Sequence, residues 1–86
     1  MRQTLAETYL SALDSLDRNL FRGTKGEDVM NLQGFLFENG YYREGFITGY
    51  FGTLTKTAVM RFQKLNNISP VVEFVGPITR EVISQY

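Results

Sequence analysis

Apolar residues recur at helical spacing in four stretches of the chain, and the gaps between them are rich in glycine, asparagine, serine and proline. Over residues 3–16 the repeat is Leu5, Tyr9, Leu13 and Leu16, and Leu20 continues it, so all five fall on one helical face. Ala6 and Ala12 favour a helix there. Glu7 near its start and Arg18 near its end suit the helix dipole. This first pattern predicts a packing helix, with partner binding as the alternative use of its apolar face.

The second stretch, 27–39, opens after Gly26 with Glu27 and Asp28, where carboxylates are favourable. Val29, Leu32 and Leu36 form its inner stripe. Met30, Phe35 and Phe37 lie off that stripe, which predicts a helix buried on two sides, the extra side covered by the N-terminal helix. Gly34 costs about 1 kcal/mol relative to alanine in a helix interior and is expected where another helix approaches closely. Asn39-Gly40 accepts the left-handed backbone that ends helices. Residues 41–51 then read as a loop carrying Tyr41, Tyr42, Phe46 and Tyr50, with Ile47 and Phe51 expected to point inward together.

The third stretch is a helix over 53–66 with Leu54, Ala58, Val59 and Phe62 on one face. Ser69-Pro70 starts a second loop, because a residue before proline avoids helix. Residues 71–75 are rich in β-branched side chains and read as extended. Gly76-Pro77 opens a short last helix over 77–85. The pattern therefore predicts an all-α fold: a small bundle of three core helices, with an additional N-terminal helix and short extended loop segments. The division is 1–19 for the N-terminal amphipathic helix and 20–86 for the compact part.

The last two helices begin alike. Residues 51–59 align with residues 75–83: an apolar residue, glycine, then threonine three residues after the glycine, a basic residue and an apolar pair. Gly52 and Gly76 become caps, and Thr55 and Thr79 fall in the first turns with hydroxyls able to reach free backbone groups. Two copies are too few for a solenoid and fit one domain with two similar corners.

Composition narrows the chemistry. The chain has 86 residues, enough for one small domain, and its formal net charge is zero. No basic patch argues for nucleic acid or an anionic membrane, and no apolar run reaches spanning length. Cysteine is absent, which excludes disulfides and thiolate metal sites. Histidine is absent as well, so serines and threonines lack their usual activating base. No phosphate loop or metal-spacing motif occurs. Of the nine carboxylates, Glu27-Asp28 is the only adjacent pair and reads as first-turn helix charge. Glu44 and Glu73 lie in loops with nothing to bring them together. The chain reads as non-catalytic, with no cofactor.

Binding chemistry has better candidates, each with a plain structural reading beside it. Gln33 and Gln63 follow apolar residues at matching places in two helices; they serve either as amide ligands for sugar or peptide, or as ties for a neighbouring loop backbone. Tyr41, Tyr42 and Tyr50 suit an aromatic platform or a loop–helix junction with the hydroxyl in water. Tyr41 is expected to take the inward position and leave Tyr42 outside. Arg61 could meet a carboxylate bidentately or stand solvated.

These residues resemble a known family. Gly26-Glu27-Asp28-Val29, Leu32-Gln33, Leu36, Gly40-Tyr41, Gly49-Tyr50-Phe51-Gly52, Thr55, Ala58-Val59, Phe62-Gln63 and Val75-Gly76-Pro77-Ile78-Thr79 together resemble the peptidoglycan-binding-like domain, the small three-helix module attached to bacterial and phage cell-wall hydrolases. The resemblance runs over about residues 20–83. Thr48-Gly49 stands where the family commonly has Asp-Gly, and Thr53 where it commonly has proline.

The resemblance implies a module that binds peptidoglycan, through its glycan or its stem peptide, and holds a linked hydrolase at the wall. It also implies an extracytoplasmic or wall-associated location, although no signal peptide is visible in the chain. The groove is expected between the 41–52 loop and the helix over 53–66, with Tyr42, Thr48, Tyr50, Arg61 and Gln63 near it. The alternative is a protein-interaction or homo-oligomerisation module that uses the N-terminal helix and the apolar 27–39 helix.

Overall fold

The computed structural model describes residues 16–86. The helix expected over 3–16 lies outside them, apart from Leu16, which packs against the core. Three helices follow: α1 (Glu27–Glu38), α2 (Thr53–Leu65) and α3 (Pro77–Ser84). Each ends one residue before the predicted limit, because Asn39, Asn66 and Gln85 act as C-caps. Asn39 and Asn66 close their helices in the same way, each side-chain amide donating to the carbonyl four residues back (2.9 Å to Phe35 O and to Phe62 O).

Among the described residues the extended chain amounts to two isolated antiparallel bridges, Leu20 with Val75 and Lys25 with Tyr50. The connector 20–25 is thereby laced to both later loops. Leu20 and Val75 exchange both backbone bonds, at 3.0 and 2.8 Å; Phe51 N donates to Thr24 O at 2.9 Å, and Phe51 O accepts from Gly23 N at 2.9 Å. The central residues Leu20, Phe51 and Val75 are fully buried.

The core forms where the stripes meet. Val29, Leu32 and Leu36 of α1 face Ala58, Val59 and Phe62 of α2, and Ile83 closes the space from α3. Phe35 meets Phe62 edge to face, with centroids 5.6 Å apart, a pairing worth about 1 kcal/mol beyond the area it buries. Four apolar residues differ from expectation. Leu54 is 40% exposed, whereas Thr55 beside it in the first turn of α2 is buried. Phe51 points inward without Ile47. Met30 and Phe37, seven residues apart on α1, remain 42% and 48% exposed, so the second buried side of α1 is supplied by Phe35. No helix among the described residues is long and apolar enough to cross a membrane.

Candidate functional site

Two loop-to-helix corners are built alike, each on a buried glutamine. Gln33 of α1 is fully buried. Its Nε2 donates to Tyr50 O (3.0 Å) and Thr55 Oγ1 (2.9 Å), and its Oε1 accepts from Thr48 N and Gly49 N (both 2.9 Å). Gln63 of α2, equally buried, does the same for the second corner. Its Nε2 donates to Phe74 O (2.9 Å) and Thr79 Oγ1 (3.2 Å), and its Oε1 accepts from Val72 N (2.9 Å). The loop partners Thr48, Tyr50 and Thr55 correspond to Val72, Phe74 and Thr79, each pair offset by the same interval as Gly52 and Gly76. The repeat therefore reaches back into each loop and includes the helix that anchors it.

The physical reason is polar satisfaction. A loop turning into a helix inside the core presents N–H and C=O groups that water cannot reach, and one buried amide supplies both kinds of partner. Gln63 is thus a structural tie, and the expectation that it stands near the 41–52 groove is corrected. The threonine hydroxyls also take a different partner from the one expected: Thr55 and Thr79 accept from the glutamine amides.

Gly52 and Gly76 are N-caps with extended backbone and no side-chain cap bond. Their lack of a side chain makes room for an aromatic ring. A methyl group on Gly52 would lie 3.3 Å from the Tyr50 ring, and one on Gly76 3.0 Å from the Phe74 ring. Each corner therefore presents an aromatic side chain lying over a glycine, 48% exposed for Tyr50 and 38% for Phe74.

Beside each aromatic runs an open groove. The first, about 300 Å³, is lined by Tyr42, Phe46, Thr48, Tyr50, Leu54 and their neighbours. The second, about 210 Å³, lies at the equivalent place and is lined by Pro70, Val72, Phe74, Pro77, Ile78 and their neighbours. Three of the five expected site residues, Tyr42, Thr48 and Tyr50, meet at the first groove. Thr48 Oγ1 accepts from Tyr50 N at 3.1 Å, so the threonine ties the turn where the family commonly has aspartate.

Tyr42 stands differently from expectation. It is the buried tyrosine of its pair, 3% exposed, and its hydroxyl donates to Phe46 O at 2.8 Å. Its ring forms a wall of the groove rather than an exposed platform. Tyr41 is half-buried in an aromatic cluster with Phe62 and Tyr86. The cause is the helix exit: Leu36 O accepts from both Tyr41 N (2.8 Å) and Tyr42 N (3.1 Å), which curls the chain so that Tyr42 enters the core. Arg61 is not in either groove. Its guanidinium donates to Tyr41 O. The Tyr86 hydroxyl bonds that of Tyr41, which holds its pKa above the usual phenol value.

Sequence reasoning missed the second groove, with Phe74 and Ile78. The signal was present, because the repeat places Phe74 at the position of Tyr50 and Ile78 at that of Leu54. Charge near the grooves is sparse. Lys25 Nζ stands 5.9 Å from the Tyr50 ring centroid, and Lys56 pairs with Glu73 at 3.6 Å. No cluster of potential metal ligands occurs among the described residues.

Three helices and two open grooves define a small all-α module. The chain belongs to the family described as putative peptidoglycan binding domain, whose model matches residues 25–83. It is also 40% identical over 62 residues to the spore cortex-lytic enzyme of Bacillus subtilis (strain 168). That match covers 72% of this chain and 20% of the relative's length. No solved structure matches the chain.

Proposed function

We propose that this chain binds bacterial cell-wall peptidoglycan without cleaving it, and holds a linked catalytic domain or other partner at the wall. The observation that carries this reading is the family match over 25–83, which takes in both glutamine-tied corners and their grooves. The relative is named as a lytic enzyme and is far longer than this chain, which fits a binding module joined to a catalytic one. Weak binding to a dense polymer would keep such a catalyst at high effective concentration. The module would then act outside the cytoplasm, at the wall.

In the first groove Tyr50 offers an exposed ring, Thr48 a hydroxyl, and Tyr42 the buried wall behind them. The test is co-sedimentation of the whole chain with purified sacculi. Wild type is expected in the pellet, with Tyr50→Ala depleted from it. Wild type left in the supernatant at all protein concentrations would overturn the proposal.

The second reading is a protein-interaction module. The exposed pair Met30 and Phe37 on one face of α1 favours it, since that strip is apolar and accessible. A light-scattering series reads it directly: a mass that rises with concentration supports self-association through this strip, and strict monomer behaviour counts against it.

A further inference from the structure

We propose that the groove at Val72–Thr79 is a second ligand subsite, and that the two corner grooves together hold the glycan of the wall polymer rather than its stem peptide. This rests on the reading of the chain as a peptidoglycan binder and extends it to a site and a ligand class.

The repeat argues for two subsites. Each groove lies under the same constellation: a glutamine-tied turn, an aromatic over a capping glycine, and an exposed aliphatic residue at the second helical position. Tyr50 and Leu54 supply it in the first, Phe74 and Ile78 in the second. Nothing in the fold needs Ile78 to be apolar, since it is 63% exposed. The backbone anchors of the two corners are also close together. Tyr50 bridges to Lys25 and Val75 to Leu20, so the two corners attach to one connector five residues apart. That span is at most about 18 Å for extended chain, within reach of a short oligosaccharide.

The linings argue for the glycan. Among the described residues neither groove includes a charged side chain. A stem peptide carries ionised groups, and holding them calls for opposite charge or bidentate partners at the site. The carboxylate beside the second groove, Glu73, is taken up by Lys56. An exposed ring face beside an aliphatic side chain instead suits the C–H face of a sugar, with Thr48 for a hydroxyl partner in the first groove.

The experiment compares intact sacculi, glycan strands freed of stem peptides, and the isolated disaccharide repeat. Titration calorimetry on the whole chain is run for wild type, Tyr50→Ala, and the pair Phe74→Ala with Ile78→Ala. Stripped strands are expected to bind as well as intact wall, with little dependence on salt. Each variant should lose about tenfold or more on strands, because two linked contacts become one. The disaccharide should bind wild type at two per chain and each variant at one. Ile78→Ser alone, at an exposed position, repeats the measurement in a fold that a surface change leaves intact.

Unchanged strand affinity in both second-groove variants, or one disaccharide per wild-type chain, overturns the second subsite alone. Binding lost when peptides are stripped overturns the glycan assignment. Wild type that binds neither strands nor sacculi overturns this inference together with the function on which it rests.

Discussion

The two corners share one plan and differ in how tightly each is tied. At the first, Gln33 Oε1 receives two backbone N–H groups, from Thr48 and Gly49; at the second, Gln63 Oε1 receives one, from Val72. The loop backbone differs at the same place. Gly49 has φ +80°, a left-handed conformation, and its N–H reaches the glutamine at 2.9 Å. Its counterpart Glu73 is not left-handed and sits exposed. The same hydrogen-bonding scheme is thus carried by a glycine turn in one loop and by an ordinary residue in the other. What both corners require is the buried amide.

The largest effect should therefore come from removing an amide. Gln33→Ala removes the partner of two N–H groups and the Thr55 hydroxyl and leaves the Tyr50 carbonyl with Thr48 Oγ1 alone, for an expected loss of about 3–5 kcal/mol. Gln63→Ala strands one group fewer and should cost about 2–4 kcal/mol. A domain of this size holds roughly 4–13 kcal/mol in total, so the first variant is expected to give up a large share of it. Urea denaturation of both variants gives the order. Equal losses, or a greater loss at Gln63, would show that the extra bond at the first corner carries no weight.

Backbone strain comes next. Gly49→Ala must hold a left-handed conformation and place its methyl 3.3 Å from the Gly26 carbonyl oxygen, at an expected cost of about 1–2 kcal/mol. Glu73→Ala, at the equivalent position, should change stability by less than about 0.5 kcal/mol. A third pair is smaller again. Thr55→Val removes an acceptor at 2.9 Å and Thr79→Val one at 3.2 Å, so losses of about 1 kcal/mol are expected, with Thr55 the greater. Thermal melting of all four variants checks both pairs. A Thr79→Val loss exceeding that of Thr55→Val would mean that hydrogen-bond length does not track strength here.

Much of this organisation was legible in the chain. The 3.6-residue spacing and the glycine and proline signals placed α1, α2 and α3 within one residue. The repeat at Gly52 and Gly76 announced two similar corners, and Gln33 and Gln63 were recognised as matching. Two things were not legible. The register of Tyr41 and Tyr42 depends on how the chain leaves α1, where one carbonyl takes two consecutive N–H groups, and adjacent tyrosines look alike to any periodicity. The assignment of Gln63 to the second corner depends on a tertiary contact with residues 72–79, eleven residues from Gln63 to Phe74, which local patterning does not encode. Arg61 was misplaced for a similar reason, since its partner is a backbone carbonyl twenty positions away.

The smallest expected effect tests how the connector is held at each end. At the first corner Arg18 grips Asp28 at 2.7 and 3.0 Å and also donates to Lys25 O, beside the bridge to Tyr50. At the second, Arg80 reaches the neutral Asn19 side chain, at 3.3 Å. The Arg18 hydrogen bond holds the Asp28 carboxyl below the usual aspartate range, against the opposing pull of partial burial. A depressed acid stabilises the fold above its unfolded pKa, and that contribution is lost as pH falls through the folded value. Arg18 is half exposed and Asp28 about a quarter, so solvent screens the pair and the stability change should be slight. The titration is the sharper readout. In Arg18→Ala, the Asp28 carboxyl followed by NMR should move up toward the ordinary aspartate range, and the acid-side loss of stability should shrink with it. Asn19→Ala, which removes no charge, should leave the Asp28 titration where it was. An Asp28 curve unmoved by Arg18→Ala would assign the depression to the start of α1, where Val29 N donates to the same carboxylate at 2.9 Å, and would make the two ends of the connector electrostatically alike.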